Sequence, residues 1–213
     1  MFEGVPAERV HFVGNVMIDT LLANRARAIP AADTLATLGG LAGADGNFGI
    51  VTLHRPSNVD DPVVLRRLLS VLREISETPP LVFPVHPRTR ARIDADPTCG
   101  RLLEAGRFAL TTPLSYLQLL GLMTTARVVL TDSGGLQEET TALGVPCITL
   151  RENTERPITV SEGTNTVVGS DAALIRACFD DIVRTGGKSG RVPSLWDGKA
   201  AVRIADVLAS HYA

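Results

Sequence analysis

The sequence has few aromatic residues, no basic excess and no long apolar run. Aromatic residues make up 4% of the 213 residues, so a core has to be built from Leu, Val, Ile and Ala. The 21 Lys and Arg residues are balanced by 23 Asp and Glu residues, which argues against a nucleic-acid binder or a polybasic membrane binder. The apolar runs are shorter than the ~20 residues of a transmembrane helix, and the N-terminus shows no secretory signal. We therefore expect no nucleic-acid partner and no membrane partner.

The three cysteines, Cys99, Cys147 and Cys178, are widely separated and lack the CxxC or Cys/His spacing of a metal site. Isolated thiols in odd number suit a reducing compartment, which predicts a cytoplasmic protein without a disulfide scaffold. The sequence also lacks GxSxG, P-loop, HExxH and GxGxxG motifs, so hydrolase, P-loop NTPase and zinc-protease interpretations lose their main support. We expect neither a metal nor a cofactor.

Short β-branched runs alternate with longer helical patterns from Phe48 onward. The predicted strands are Phe48–Leu53, Leu81–Val85, Phe108–Thr111, Arg127–Thr131 and Cys147–Leu150. The predicted helices start at Asp60 or Asp61, at Ser115, at Leu136, at Ser170 or Asp171, and at Lys199. Continuous apolar strands that alternate with helices are typical of a parallel sheet covered on both faces. The sequence therefore predicts an α/β fold with a Rossmann-like, doubly wound parallel sheet.

The first part of the chain is less regular. Val10–Val13 is a possible strand and Val16–Arg25 a possible helix, while Arg27–Asn47 is rich in Ala and Gly and is predicted to be a mobile connection. The length fits one domain. We assign residues 1–28 to a remnant of an interdomain or N-terminal region and residues 29–213 to the Rossmann-like domain.

The strongest candidate site is the segment Asp132–Glu139, which directly follows a predicted strand. Ser133 can cap the next helix, and Gly134 and Gly135 leave backbone N–H groups uncovered at its N-terminus, an arrangement that suits a phosphate. Glu139, about one to one and a half helical turns further on, is placed to reach sugar hydroxyls. A capped turn that uses glycine for tight packing is the alternative interpretation, because glycine marks many ordinary turns.

Two pairs of histidine and arginine follow other predicted strands. Arg55 can neutralise a diphosphate, and His54 can bind it or move a proton. His86 and Arg88 follow the next strand in the same way. A histidine at a strand end is more often structural, since its spacing demands no chemistry. The charged loop around Arg156 is by default solvated, and only its position beside the glycine segment makes it a candidate.

Taken together, these segments resemble the non-hydrolysing UDP-N-acetylglucosamine 2-epimerase family. The matching segments are FVGN (Phe12–Asn15), TLHRPSN (Thr52–Asn58), PVHPR (Pro84–Arg88), PLSYLQLLGLM (Pro113–Met123), LTDSGGLQEE (Leu130–Glu139), ALGVPCITLRENTERP (Ala142–Pro157) and EGTNTVVG (Glu162–Gly169). The family is similar in fold to the two-domain glycosyltransferases of the GT-B type, and its C-terminal domain holds the UDP. The resemblance implies that this chain is that UDP-binding C-terminal half.

The resemblance also implies a UDP site. Ser133, Gly134 and Gly135 would hold the diphosphate, Glu139 would bind the ribose hydroxyls, and Arg156 would lie near the same pocket. The ligand would be UDP or UDP-N-acetylglucosamine (UDP-GlcNAc).

Further implied roles concern the histidines. His54 and Arg55 would face the phosphate and sugar on the leaving-group side, as the residues of this chain that take part in catalysis. His86 matches a histidine that lines a second, regulatory substrate site in some bacterial members of the family.

The family reaction eliminates UDP to a glycal intermediate and adds it back with C2 inverted. The family's N-terminal domain, which precedes the FVGN segment, would supply the carboxylates that move the C2 proton, and here only about a dozen residues precede that segment. We expect the UDP-binding half of a UDP-GlcNAc 2-epimerase, inactive alone, that self-associates or pairs with a missing N-terminal domain. The alternatives are a non-catalytic UDP-sugar-binding module and half of a split GT-B glycosyltransferase.

Overall fold

A six-stranded parallel sheet forms the centre of the computed structural model, which describes residues 4–38, 41 and 46–212. The strands are β1 (Gly49–Thr52), β2 (Leu81–Pro84), β3 (Phe108–Thr111), β4 (Val128–Thr131), β5 (Cys147–Thr149) and β6 (Asn165–Val167). Their order in the sheet is β3-β2-β1-β4-β5-β6, so the direction of winding reverses between β1 and β4. The predicted α/β, doubly wound fold is confirmed.

Helices cover both faces of this sheet. They are α1 (Val16–Arg25), α2 (Ala31–Thr37), α3 (Pro56–Val59), α4 (Pro62–Ile75), α5 (Pro87–Asp94), α6 (Pro97–Glu104), α7 (Tyr116–Met123), α8 (Gly134–Leu143), α9 (Pro157–Ser161), α10 (Ala172–Thr185) and α11 (Ala200–Tyr212). In β1, Val51 packs in the cluster formed with α4, α5, α6 and α10, whereas Ile50 packs in the opposite cluster with α1, α2, α7 and α8. Both side-chain faces of the strands are therefore buried, which explains their continuous apolar character.

Local sequence signals fix where several helices begin and end. Asp61 caps α4 by accepting a hydrogen bond from the Val63 backbone N–H at 2.8 Å. Ser115 opens α7 with a capping box, and Asp171 caps α10. Gly144 ends α8 in the left-handed region at φ 73°, a conformation that side chains other than glycine rarely adopt. These boundaries agree with the predicted helices to within about two residues.

Two expectations for the first part of the chain are wrong. Val10–Val13 forms no strand, because the described sheet ends at β3 and β6 and offers this segment no neighbour; Phe12 is 65% exposed. The stretch Arg27–Asn47 is not simply a connection, since α2 lies within it and buries Leu35 in the core. Residues 39–40 and 42–45 of that stretch lie outside the described residues.

Helix α1 is held in place by contacts with α8 and α11, two helices that come much later in the chain. Its Ile18 and Leu21 are fully buried. Asn15, which caps α1, donates to the Glu138 carboxylate of α8 at 2.8 Å. Asp19 accepts hydrogen bonds from the first backbone N–H groups of α11. Among the described residues, no helix has the length and apolar character required to cross a membrane.

Candidate functional site

A cavity of about 390 Å³ opens at the carboxyl ends of β1, β2 and β4. Its wall is largely apolar, and its polar lining comes from His54, His86, Tyr116, Ser133 and Glu139. The cavity lies where the strand order reverses, which is the place where open α/β sheets bind their ligands. A volume of this size is in the range of small-molecule sites.

His54 and Asp132 meet at this edge because β1 and β4 are paired neighbours. The register places Thr52 beside Thr131, so the residues that follow both strands lie side by side. His54 Nδ1 is 2.8 Å from Asp132 Oδ1. The His54 side chain is 37% exposed, whereas the Asp132 side chain is fully buried. The pair therefore joins a buried carboxylate to an imidazole that reaches the cavity.

Asp132 is held as a carboxylate by its hydrogen bonds. Burial alone raises its pKa, but the hydrogen bonds from the His54 side chain and from the backbone N–H groups of Arg55 and His54 outweigh burial, and the pKa lies below the ordinary value. Asn58 adds a further hydrogen bond from its amide nitrogen at 3.1 Å. An ionised Asp132 only accepts hydrogen bonds, and each of these contacts donates to it.

The N-terminus of α8 borders the cavity with Ser133 and Gly135. The Ser133 side chain makes no capping hydrogen bond, so the predicted cap is wrong; its backbone N–H instead donates to Thr131 Oγ1 at 2.9 Å. A Cβ on Gly134 would lie 2.7 Å from the Glu155 carboxylate, so glycine at this position leaves room for the Glu155 side chain where it pairs with Arg55 and Arg151. The uncapped helix start leaves backbone donors and a positive dipole end for an anion.

Glu139 carries a buried carboxylate into the same cavity, with only 4% of the residue exposed. Burial raises its pKa above the ordinary value, and the neighbouring charge of Glu138 adds to this, although the hydrogen bond from Tyr116 acts in the opposite direction. Burial and the charge of Glu139 raise the pKa of Tyr116 to about 12. The carboxylate is thus an acceptor in a poorly solvated place, where hydrogen bonds to ligand hydroxyls gain strength.

The arginines lie beside the cavity, at its charged rim. Arg55 reaches Glu155 at 3.3 Å and lines a neighbouring cavity of about 480 Å³ together with Arg151. Arg151 pairs with the other oxygen of Glu155 at 2.7 Å. Arg156 lies 3.3 Å from Glu138. Among the described residues, neither Arg55 nor Arg156 lines the largely apolar cavity that Ser133 and Glu139 border.

A buried polar network joins α8 to the loop after β5. Gln137 donates to the Ser133 carbonyl at 3.2 Å, and its side-chain oxygen accepts from Thr154 at 2.5 Å and from Asn165 at 3.1 Å. Asn165 is fully buried, donates also to Thr159 and accepts from Thr149. The network holds the start of α8 and the charged loop in one fixed arrangement.

The chain matches a known protein family over nearly its whole length. A family model described as UDP-N-acetylglucosamine 2-epimerase matches residues 1–209. The chain belongs to the UDP-N-acetylglucosamine 2-epimerase family. A 2-epimerase of this name from Methanocaldococcus jannaschii is 35% identical over 209 residues, which are 97% of this chain and 56% of that protein. A UDP-2,3-diacetamido-2,3-dideoxy-D-glucuronate 2-epimerase from Pseudomonas aeruginosa is 37% identical over 205 residues, which are 95% of this chain and 53% of that protein.

Solved structures of the family share the fold. The structure of the M. jannaschii UDP-GlcNAc 2-epimerase in complex with UDP-GlcNAc and UDP matches 98% of this chain with a TM-score of 0.81 at 30% identity. The UDP-GlcNAc 2-epimerase from Neisseria meningitidis bound to UDP-GlcNAc matches 98% of this chain with a TM-score of 0.81 at 26% identity. In both cases the chain covers 57% of the relative. It spans little more than half the length of these epimerases.

The structure brings five of the predicted site residues into one cavity. These are His54, His86, Ser133, Gly135 and Glu139. His86, predicted to lie in a second, regulatory site, has its ring centroid 5.7 Å from that of His54. Within the described residues, no group of three His, Cys, Asp or Glu side chains is arranged to hold a metal ion.

Three residues of the site received no role from the sequence. Asp132 has one sequence signal, a charged residue directly after a strand that is apolar except for Thr131, where a buried position is expected. Asn58 and Tyr116 have none, because polar residues in those loop and helix positions are common. Their contacts to Asp132 and Glu139 depend on the tertiary structure.

Proposed function

We propose that this chain binds the UDP group of UDP-GlcNAc and forms the UDP-binding part of a 2-epimerase. The observation that carries the proposal is a single cavity at the strand-order reversal that joins an uncapped helix N-terminus, a buried carboxylate and a histidine. Within this proposal, residues 29–213 are the UDP-binding domain and residues 1–28 belong to the region that connects it to another domain.

The diphosphate would lie at the start of α8. The backbone N–H groups of Gly134 and Gly135 lie in the first turn and have no partner within the helix, and the helix dipole favours an anion there. The Ser133 N–H already donates to Thr131 Oγ1, so Ser133 would contribute its hydroxyl. Arg55 and Arg156 stand at the rim and would contribute positive charge, although Glu155 and Glu138 partly neutralise them. Glu139, buried at the same cavity, would accept hydrogen bonds from the ribose hydroxyls.

Breaking the bond between sugar and diphosphate requires stabilisation of the negative charge on departing UDP. His54 is the group of this chain placed to bind or protonate that charge, since its ring lines the cavity beside the start of α8. Inversion at C2 needs one group that removes the C2 proton from one face of the sugar and a second group that returns a proton on the other face. Among the described residues that line this cavity, Glu139 is the one carboxylate. Because Glu139 binds the ribose in this proposal, the groups that move the C2 proton would come from outside the cavity.

The relatives indicate two candidates for the sugar of the ligand. UDP-GlcNAc is supported by the names of most relatives and by the two ligand-bound structures. The relative from P. aeruginosa makes UDP-2,3-diacetamido-2,3-dideoxy-D-glucuronate the second candidate, because its identity of 37% is similar to that of the UDP-GlcNAc epimerases. Isothermal titration calorimetry of the chain with each of the two UDP-sugars distinguishes them.

Partners and location complete the proposal. Exposed apolar side chains on the N-terminal segment and on α11 support pairing with a second domain or a second copy of the chain. The three cysteines are free thiols, and two of them are buried, which supports a reducing compartment, the cytoplasm.

Isothermal titration calorimetry with UDP tests the site. We expect UDP to bind the 213-residue chain, and we expect Glu139→Gln to weaken binding by about 10-fold or more, since a hydrogen bond to a charged group contributes roughly 1.5–3 kcal/mol. Glu77→Gln is the matched control, because Glu77 is an exposed residue between α4 and β2 and its side chain pairs with Arg73. Its affinity for UDP should equal that of the unmodified chain.

Two results would contradict the proposal. Absence of UDP binding at millimolar concentration in the unmodified chain rules out the site, and equal affinities for the two variants rule out the role of Glu139. A coupled assay for 2-epimerisation should show no turnover by these 213 residues alone. Glycosyl transfer on addition of a partner polypeptide would instead favour half of a split glycosyltransferase, and UDP-sugar binding without turnover in every reconstituted form would favour a non-catalytic module.

A further inference from the structure

Five contacts fix the Asp132 carboxylate at the edge of the cavity. Oδ2 accepts from the backbone N–H of His54 at 3.0 Å, from that of Arg55 at 2.9 Å and from Asn58 Nδ2 at 3.1 Å. Oδ1 lies 2.8 Å from His54 Nδ1 and also 3.2 Å from the His54 backbone nitrogen. The oxygen that faces the imidazole is therefore a different one from the oxygen that binds most of the surrounding donors.

Asn58 prevents the carboxylate from rotating. It is buried, with 4% of the residue exposed, and its amide nitrogen donates both to Asp132 and to the Leu150 carbonyl at 2.8 Å. Both amide protons are thus used, which fixes the amide between the ends of β4 and β5. Rotation of the Asp132 carboxylate would break the contact with Asn58 and leave a buried polar group unpaired.

We propose that Asp132, held by Asn58, is a positioning residue that keeps neutral His54 in the Nδ1–H tautomer and leaves Nε2 to exchange a proton with a ligand in the cavity. A carboxylate only accepts hydrogen bonds, so the ring nitrogen 2.8 Å from it has to carry the proton. When Nε2 takes up a proton, the same carboxylate stabilises the imidazolium. The identity of the ligand rests on the proposed function, whereas the tautomer does not.

His86 lines the same cavity and provides an internal reference. Its Nδ1 accepts a hydrogen bond from the Arg88 backbone N–H at 3.2 Å, where it caps α5. Nδ1 of neutral His86 is therefore bare and Nε2 carries the proton. The two histidines, with ring centroids 5.7 Å apart, should have opposite tautomers.

Long-range ¹H–¹⁵N NMR of the histidine-labelled chain, recorded without nucleotide at a pH where both rings are neutral, tests the proposal. His54→Gln and His86→Gln assign the signals. We expect the Nδ1–H tautomer for His54 and the Nε2–H tautomer for His86. In Asp132→Asn, the three donors at Oδ2 retain the amide oxygen there and turn the NH₂ group toward His54 Nδ1. That nitrogen then has to accept, so His54 should change to the Nε2–H tautomer while His86 does not change.

An Nε2–H tautomer of His54 in the unmodified chain overturns the proposal, and that measurement decides even where Asp132→Asn does not fold. An unchanged His54 tautomer in a folded Asp132→Asn variant overturns it as well, because a merely structural role of Asp132 would not move the ring proton. Since the spectra contain no nucleotide, failure of UDP to bind would contradict the proposed function and leave the tautomer result standing.

Discussion

At the scale of single residues, the site combines two carboxylates in opposite electrostatic situations. Asp132 receives hydrogen bonds from several donors and its pKa is lowered, whereas Glu139 is buried beside Glu138 and its pKa is raised. A buried carboxylate that pays a desolvation cost is typical of a binding site, because the ligand supplies the missing hydrogen bonds. Glu139 should therefore reduce the stability of the ligand-free protein.

This cost has a defined dependence on pH. The folded pKa of Glu139 lies above its ordinary value of 4.5, so the folded state retains the proton to higher pH than the unfolded state, and stability is lost as pH rises from about 4. Glu139→Gln removes this loss. We expect its melting temperature to equal that of the unmodified chain near pH 4 and to exceed it near pH 7, because the variant carries no buried charge at this position. Thermal unfolding followed by circular dichroism measures the difference, and a lower melting temperature for the variant at pH 7 contradicts the prediction.

At the scale of elements, α8 and the loop after β5 act as one unit. Gly134 leaves room for the Glu155 side chain of this loop, and the Gln137 network holds the loop against α8. Asn165 is the centre of this network, since it contacts Thr149, Thr159 and Gln137 at once. The position of the α8 N-terminus thus depends on a residue of β6, two strands away from β4.

Asn165→Ala tests this dependence. Removal of the amide leaves the three partners of Asn165 without one hydrogen bond each in a buried place, and we expect a loss of about 1–3 kcal/mol in the free energy of unfolding. Asn47→Ala, at an exposed position, is the control and should change that energy by less than about 0.5 kcal/mol. Urea denaturation gives both values. A loss for Asn165→Ala no larger than that of the control would show that the network does not hold the two elements together.

At the scale of the whole molecule, one surface exposes several large apolar side chains. The N-terminal segment and α11 lie together, since Arg203 of α11 donates to the Val13 carbonyl. Phe12 is 65% exposed on this surface, and Leu208 of α11 is 51% exposed. Apolar side chains exposed on two adjacent elements are typical of an interface. The chain spans 56% and 57% of the length of two of the relatives.

We expect the 213-residue chain to self-associate through this surface. The double variant Phe12→Ser, Leu208→Ser should reduce the mass measured by light scattering at high protein concentration to that of a monomer. Val63→Ser is the matched control, because Val63 is 65% exposed but lies at the start of α4. Its association should equal that of the unmodified chain. A clean monomer before any substitution would contradict the prediction.

Much of the fold follows from local signals. The strands were predictable because a strand buried on both faces has to be apolar throughout, and α4, α7 and α10 because their caps and apolar stripes are local. The strand at Val10–Val13 was wrong because the same apolar residues in the native structure face outward. Apolar character alone does not distinguish a buried strand from an exposed surface segment.

The sequence by itself determined the class of sheet, the glycine-rich start of α8 and the family, because these depend on residues that are close along the chain. Only the tertiary structure decided the neighbours of the site. His54 and Asp132 are 78 residues apart in the sequence. They meet because β1, which also pairs with β2, has β4 as its other neighbour in the sheet. Asn58 reaches the same carboxylate across 74 residues. The order of strands in a sheet is set by packing of the whole chain, so these contacts have no local signal.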